Sequence, residues 1–384
     1  IFKNYSMIIT ILIFLAVLSL LVFVHEAGHF IVAKRSGMKV HEFGFGFPPR
    51  LFGIQKVNGK WKFVWGNKED GAQDTVYSIN WIPLGGFVKI MGEDNDSTDE
   101  QSFVNKPFWR RFFTLSAGVI MNFILAGVLL AICYGVGSPV AVQSLDQVPQ
   151  GAKFTDARVA IIEVAPNSPA EKAGIQQSDI VVSIDGQQFG DVQSFQDYVR
   201  ANKGKEMTFD VKRINEIKSF KVQSTAEPKE GEGVVGVGLA LYGKLRFSPL
   251  PAIGQGFQTA YQQLAAIATG LYKLFSSGEG VKSLGGPVKI AQITGQIADT
   301  GFIPLLQFAA FLSLNLALLN ALPIPALDGG RILFLLIEKV RGKRNNAKLE
   351  QYANAIGFIA LLLLMLIISV RDVSQLESVK NLFS

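Results

Sequence analysis

Four long apolar runs constrain the fold of this chain more than any other feature. They cover residues 7–24, 112–136, 300–327 and 351–370, and none contains an acidic or basic residue. A helix needs about 20 apolar residues to cross the hydrocarbon core of a bilayer. Only 18% of the chain is charged, against about 25% in typical soluble domains, and buried soluble helices explain four such runs poorly. The sequence therefore predicts a polytopic α-helical membrane protein with four transmembrane helices.

Basic residues flank these runs, and they predict the orientation of the chain. They lie after the first run, before the second, and between the third and fourth: Lys34, Arg35, Lys39; Lys106, Arg110, Arg111; Lys339, Arg341, Lys343, Arg344, Lys348. Because Lys and Arg are enriched in cytoplasmic loops, these segments should be cytoplasmic, and both termini and residues 138–300 extracytoplasmic. The net charge of +6 thus reflects membrane orientation, and we expect no nucleic-acid partner.

Two segments between the runs have patterns of their own. Segment 37–111 has β-prone stretches around Pro83-Leu84-Gly85-Gly86, which predicts a β-hairpin, and its hydrophobicity suggests contact with the membrane. Strand patterns alternate with two short helices over residues 158–225, and APNSPAEKAGIQQSDIVVSIDG (165–186) resembles a PDZ domain. Such domains bind extended peptides at a sheet edge; the alternative is a spacer without a ligand.

These patterns predict seven segments. They are transmembrane helix 1 with a metal motif (1–36), a cytoplasmic-side loop with a membrane-associated β-hairpin (37–111), transmembrane helix 2 (112–137), an extracytoplasmic α+β PDZ-like domain (150–228), an unassigned extracytoplasmic connector (229–300), transmembrane helix 3 with a second metal motif (301–341) and transmembrane helix 4 (351–371).

The first run leads directly into His25-Glu26-Ala27-Gly28-His29. Residues four apart share a helix face, so both imidazoles can bind one zinc ion, and Glu26 is placed to accept a proton from the attacking water. The pattern also arises by chance in helices. Two of only three histidines fall here, however, and such residues are costly at a membrane boundary without partners. We expect the third histidine, His41, to be an ordinary loop residue. Because Cys133 is the only cysteine in the chain, a zinc site formed by several cysteines is excluded.

A catalytic zinc ion needs a third protein ligand and an open fourth position. The first and third runs cross in the same direction, so the histidines and Asp328, after 28 uncharged residues, should reach similar depth. Pro323 and Pro325 must break the helix before Asp328, which requires a protein-lined or wet cavity. Asp328 is therefore the predicted third ligand. The alternative is that it only caps the helix that follows.

Several motifs together resemble the site-2 protease family of intramembrane zinc metalloproteases, of the bacterial regulator-of-sigma-E protease type. They are HEAGH (25–29), PLGGFVKIMGE (83–93), AGVIMNF (117–123) and NALPIPALDGG (320–330). The resemblance implies one zinc ion per chain, held by His25, His29 and Asp328, with Glu26 as the catalytic base.

The resemblance also implies a substrate site and a location. Asn320 would help to hold the substrate, Pro323 and Pro325 would shape the cleft, and the β-loop with Gly85 and Gly86 would pair with an unwound substrate strand. The expected substrates are single-span membrane proteins, such as anti-sigma factors or remnant signal peptides, in the bacterial inner membrane. The zinc site would lie toward the cytoplasmic side.

The chain departs from the family pattern in two places. Val119 replaces the usual proline of the second-span motif, which predicts a local change in helix geometry without loss of activity. One PDZ-like module stands where many members have two. Two other functions are open to a chain with these residues: a membrane zinc transporter, which would need polar residues across both halves of the bilayer, and a catalytically inactive PDZ-bearing scaffold, which would not need Glu26.

Overall fold

The computed structural model describes residues 7–67, 74–93, 97–213, 216–226, 233–277 and 285–374. The helices are α1 Met7–Arg35, α2 Phe108–Val136, α3 Pro169–Ala173, α4 Val192–Ala201, α5 Pro249–Ser277, α6 Pro287–Thr300, α7 Phe302–Ala321, α8 Asp328–Arg341 and α9 Ala347–Ser374. The strands are β1 Val40–Val57, β2 Lys60–Trp65, β3 Val76–Ile90, β4 Ser138–Val142, β5 Lys153–Val164, β6 Ile180–Ile184, β7 Glu206–Arg213, β8 Glu216–Gln223 and β9 Val237–Arg246. The chain divides into two compact units: one of residues up to 130, 257–299 and from 305 onward, the other of residues 131–256 and 300–304.

Four helices among the described residues are long and apolar enough to cross a membrane: α1, α2, α7 and α9. They coincide with the four apolar runs, so the expected spans are confirmed as helices of spanning length. The predicted transmembrane helix 3, residues 301–341, is divided. Helix α7 ends at Ala321 and α8 begins at Asp328, because Pro323 and Pro325 cannot continue a helix.

The break between α7 and α8 is held by close packing. A Cβ atom at Gly329 or Gly330 would collide with the carbonyl oxygens of Leu322 or Ile324, so the two glycines allow α8 to begin against the end of α7. Ala326 has a φ of 78°, which is strained for a residue with a side chain. Its N–H donates to Asn354 Oδ1 of α9 at 3.0 Å, which stabilises this turn.

A small sheet follows α1 and packs against it, with the strand order β2-β1-β3. Residues 42–45 of β1 pair with residues 76–79 and also with residues 86–89 of β3. The two arms around Pro83–Gly86 therefore lie on either side of β1 and do not pair with each other, which differs from the expected hairpin. Gly85 explains this difference. Its φ of 68° lets β3 change direction, so that its two arms pass on opposite sides of residues 42–45 of β1.

The second unit contains a six-stranded sheet in the order β4-β9-β5-β6-β7-β8. Its core is formed by side chains with almost no exposed surface, among them Ile161, Phe195 and Phe209. The expected helix caps are present: Ser168 Oγ accepts from Glu171 N, and Asp191 accepts from Ser194 N. The β7–β8 hairpin is also confirmed.

The sheet extends beyond the predicted boundaries 150–228. Strands β4 and β9 come from outside that range and pair with each other, and β9 also pairs with β5. Of the predicted connector 229–300, residues 233–277 and 285–300 are described. They form β9, α5 and α6, so this segment has regular structure of its own.

Candidate metal centre

Helix α1 brings His25 and His29 together. Both imidazoles are buried, and their Nε2 atoms are 3.2 Å apart. The four-residue spacing places the rings one turn apart on one face, with ring centroids separated by 4.9 Å. This is the geometry that the HEAGH pattern predicted.

Asp328 lies against both histidines, although it is about 300 residues away in sequence. Its Oδ2 atom is 3.0 Å from His25 Nε2 and 3.3 Å from His29 Nε2. The N-cap of α8 is Leu327, and no side chain caps this helix end. The carboxylate is therefore directed to the histidines, which disfavours the alternative that it is only a helix cap.

The three donor atoms fit a tetrahedral metal ion. Zinc bonds to nitrogen and oxygen are about 2.0–2.1 Å, so two ligand atoms of a tetrahedral site lie about 3.3 Å apart. The three observed separations are 3.0, 3.2 and 3.3 Å. Asp328 Oδ2 is buried and has no hydrogen-bond partner among the described residues. The described part of the chain holds one such group of three metal-ligating side chains.

Helix α2 orients both imidazoles. His29 Nδ1 is 2.8 Å from the carbonyl oxygen of Thr114, so its N–H donates there and the Nε2 lone pair is directed to the centre. A second hydrogen bond of this kind fixes the tautomer and ring orientation of metal-binding histidines. Sequence reasoning missed Thr114 because it contacts the site through its backbone, which has no residue-type signal.

Gly118 on α2 leaves room for the two rings. A Cβ atom there would lie 2.5 Å from His25 Cε1 and closer still to His29 Nε2. Helix α2 runs without interruption through Val119, so the residue in place of the family's proline belongs to regular helix. Gly118 was also missed, although its place four residues before Asn122 is a recognisable spacing on one helix face.

Asn122, buried on α2, contacts His25 from the other side. Its Nδ2 atom is 3.2 Å from His25 Nδ1, while its Oδ1 atom is buried with no partner in the described ranges. If the amide turned by 180°, Oδ1 would accept the His25 Nδ1–H, which leaves the lone pair on Nε2 for a metal ion. We infer that Asn122 is a positioning residue for His25.

Asn122→Leu should lower zinc affinity by about 10- to 100-fold, the usual effect of losing an outer hydrogen-bond partner of a metal ligand. Zinc titration of the metal-free protein with a competing chelator measures this effect. Asn315→Leu is the matched control. The Asn315 amide donates to Phe311 O within helix α7, so this substitution should not alter zinc affinity. Unchanged affinity in Asn122→Leu would contradict the role assigned to the amide.

Glu26 is half-buried next to His25 on α1. It is close enough to His25, His29, Asp328 and Glu93 to interact electrostatically with all four. Glu93, at the end of the segment that contains β3, forms an ion pair with Arg331 of α8. The carboxylate predicted as the base thus lies beside the three metal-ligating side chains.

The remaining predicted residues differ in their distance from the centre. Asn320 Nδ2 is 3.4 Å from His25 Nε2, so Asn320 borders the site. Pro323 and Pro325 lie in the break between α7 and α8. Gly85 and Gly86 lie on β3, and Cβ atoms there would contact Val22 and Phe23 of α1. They allow the sheet to approach α1 one helical turn before His25.

His41 is exposed on β1 and is not part of the group of three metal-ligating residues. It therefore lies in a strand, where sequence reasoning expected a loop. Cys133 is a buried free thiol, and it is likewise outside the group. The group that could hold a metal ion therefore comprises two imidazoles and one carboxylate.

Comparisons with known proteins identify a family and several zinc metalloproteases among the relatives. The model of Peptidase family M50 matches residues 13–364. The chain is 35% identical to "Putative zinc metalloprotease CPE1693" of Clostridium perfringens, with 92% of this chain and 96% of the relative covered. It is 31% identical to "Regulator of sigma-W protease RasP" of Bacillus subtilis, with 96% and 99% covered.

Solved structures match a smaller part of the chain. A PDZ domain of an SdrC-like protein from Listeria innocua is 30% identical and covers 21% of this chain and 92% of its own length, with a TM-score of 0.20. The family match extends over most of the chain and includes α1, α2 and α7–α8, which carry the centre. The chain therefore belongs to peptidase family M50, the site-2 protease family of zinc metalloproteases.

Proposed function

We propose that this chain hydrolyses peptide bonds within the transmembrane segments of single-span membrane proteins. The observation that carries the proposal is the triangle of His25 Nε2, His29 Nε2 and Asp328 Oδ2. Both histidines and Glu26 belong to α1, a helix of membrane-spanning length. A hydrolytic centre at that position serves a substrate that is itself in the membrane.

In this proposal His25, His29 and Asp328 would hold one zinc ion per chain. A zinc ion held there would supply Lewis-acid chemistry, by polarising a carbonyl and making water more acidic. Glu26 accepts the proton of the attacking water and then donates it to the leaving amide nitrogen. Thr114 and Asn122 keep the imidazoles in the required orientation through their hydrogen bonds.

The substrate must be extended before it is cut, because the peptide bonds of an α-helix are shielded by its own backbone and side chains. The second arm of β3 supports a mode of binding for such a segment. Residues 86–89 pair with β1 on one side, and Gly85 and Gly86 pack against α1 directly before the histidines. An unwound substrate strand that pairs with β3 would be held by main-chain hydrogen bonds, with Asn320, Pro323 and Pro325 bordering the cleft.

The basic segments support an orientation in the bacterial inner membrane. They follow α1, precede α2 and join α8 to α9, which is expected of cytoplasmic loops. In this orientation the zinc site lies toward the cytoplasmic side, the β1–β3 sheet is membrane-associated, and the PDZ-like domain and both termini are extracytoplasmic. Anti-sigma factors and remnant signal peptides are single-span substrates of the appropriate kind.

The PDZ-like domain is proposed to contact a peptide or the substrate. A groove of about 450 Å³ lies between α4 and the start of β9, and its lining includes Val199, Arg200 and Lys203. Strand β4 covers β9 only at residues 241–245, which leaves an edge at 237–240 where a peptide can add as a strand. Charge reversal of Arg200 and Lys203 should weaken cross-linking to substrate, whereas reversal of Lys218 and Lys221 on β8 should not; equal effects would remove this support.

A cleavage assay tests the proposed function. The full-length protein in proteoliposomes should cut a single-span reporter inside its apolar segment, as mapped by mass spectrometry of the fragments. Chelation should stop cleavage and added zinc should restore it, while a soluble protein that contains the same apolar sequence should remain intact. Cuts confined to the reporter's extramembrane parts would contradict an intramembrane protease.

A further inference from the structure

Helix α8 exposes an apolar stripe that the proposed chemistry does not use. Leu333, Leu336, Ile337 and Val340 follow the spacing i, i+3, i+4, i+7, which places them on one face. All four are exposed, and Val340 is 87% exposed. A different face of α8, with Leu335, packs into the core of the first unit. The stripe and the core-facing side of α8 thus lie on opposite faces, and the α8 residues of a neighbouring basic groove lie on the core-facing side.

A basic groove of about 400 Å³ adjoins the end of α8. Its charged lining residues are Lys106, Arg111, Glu338, Lys339, Lys343 and Arg344. Five cations and one carboxylate leave a formal charge of +4, which far exceeds the roughly half negative charge at a helix C-terminus. The groove thus attracts anions, because its net positive charge outweighs the partial negative charge of the helix C-terminus.

The structure leaves part of this charge free for a ligand. Arg111 engages Glu338 with two hydrogen bonds of 2.7 and 3.2 Å, and Lys339 lies over the ring of Phe108. Lys106 and Lys343 form no ion pair within the described ranges. Gly342, with a φ of 66°, ends α8 and is followed directly by Lys343 and Arg344, which line the groove.

The position of the groove favours a lipid over a soluble anion. It lies between the start of α2 and the end of α8, on the face of α8 opposite the stripe. Trp109, next to Phe108 at its rim, is 61% exposed. Tryptophan is enriched at the level of lipid headgroups, and basic pockets at the ends of membrane helices bind anionic headgroups. We propose that this groove binds the phosphate of an anionic phospholipid.

Native mass spectrometry of the full-length protein from nanodiscs of phosphatidylcholine and phosphatidylglycerol tests this site. The wild-type protein should retain phosphatidylglycerol selectively. Lys343→Gln with Arg344→Gln should reduce that retention by about tenfold, since each basic side chain near an anionic surface contributes several-fold. Val340→Ser should leave it unchanged, because Val340 lies on the face of α8 opposite the groove.

Arg35→Gln with Lys348→Gln is the matched control, because it removes the same charge from exposed positions outside the groove. Its lipid retention should equal that of the wild type. An equal loss in the control would show a general surface-charge effect and overturn the proposal. Displacement of the lipid by millimolar inorganic phosphate, or full retention in the Lys343 and Arg344 variant, would overturn it as well.

Discussion

Glu26→Gln should abolish cleavage of a single-span reporter while zinc stays bound at about one ion per chain. Glutamine preserves the size of the side chain but cannot accept the proton of the attacking water. A positioned general base contributes about 10²- to 10⁴-fold to the rate, so the remaining activity should fall near the detection limit. Glu26 is not among the three metal-ligating residues, which is why the zinc content should be unchanged.

Two further variants separate base catalysis from a general effect of lost charge. Glu26→Asp keeps a carboxylate at a shorter reach and should retain partial activity. Glu163→Gln changes an exposed glutamate on β5 of the second unit and should cleave at the wild-type rate. Retained cleavage in Glu26→Gln would exclude Glu26 as the base, whereas zinc loss in that variant would indicate a role in binding the ion.

Asp328→Ala should lose both zinc and activity. Removal of the carboxylate leaves two imidazoles and removes the negative charge of the centre. Loss of an outer partner alone costs up to about 100-fold in affinity, so loss of a direct ligand should exceed that. Zinc titration and the reporter assay measure both effects.

Local folding should survive this substitution. The N-cap of α8 is Leu327 and no side chain caps it, so the start of the helix does not depend on Asp328. Asp328→Asn is the conservative comparison, because it keeps the shape and one oxygen ligand but loses the charge, and it should bind zinc more weakly than the wild type. Full zinc occupancy in Asp328→Ala would mean that another residue is the third ligand.

The convergence of His25, His29 and Asp328 could be predicted from the sequence because polar and charged residues in a membrane span are conspicuous. His25 and His29 interrupt an apolar run at helical spacing, and Asp328 follows 28 uncharged residues. Because these two spans were predicted to cross in the same direction, the histidines and Asp328 were expected at a similar depth in the membrane. The contributions of α2 could not be found in this way, since Thr114 acts through its carbonyl oxygen and Gly118 through the absence of a side chain.

The small sheet shows where local patterns are insufficient. Pro83–Gly86 looks like a hairpin turn, but each arm of β3 pairs with β1. The partner strand begins in the segment HEFGFGF (41–47), where the alternation of glycine and phenylalanine did not indicate a strand. Its glycines are explained by close approach, since a Cβ atom at Gly44 would meet Phe87 and Asn80.

The boundaries of the second sheet required pairing over a long sequence distance. Strand β9 lies between β4 and β5, although more than 70 residues separate it from β5 along the chain. A strand pattern predicts extended structure but does not identify its partner. The local features of the same unit, such as the Ser168 and Asp191 caps, depend on neighbouring residues and were predicted correctly.

X-ray absorption at the zinc edge, combined with metal analysis of the purified full-length protein, tests the central claim most directly. We predict one zinc ion per chain, bound by two imidazole nitrogens, with oxygen atoms as its other ligands. The chain's third imidazole is that of His41, and its one thiol is that of Cys133. A third imidazole, a sulfur ligand, or an active protein that lacks zinc would contradict the site formed by His25, His29 and Asp328.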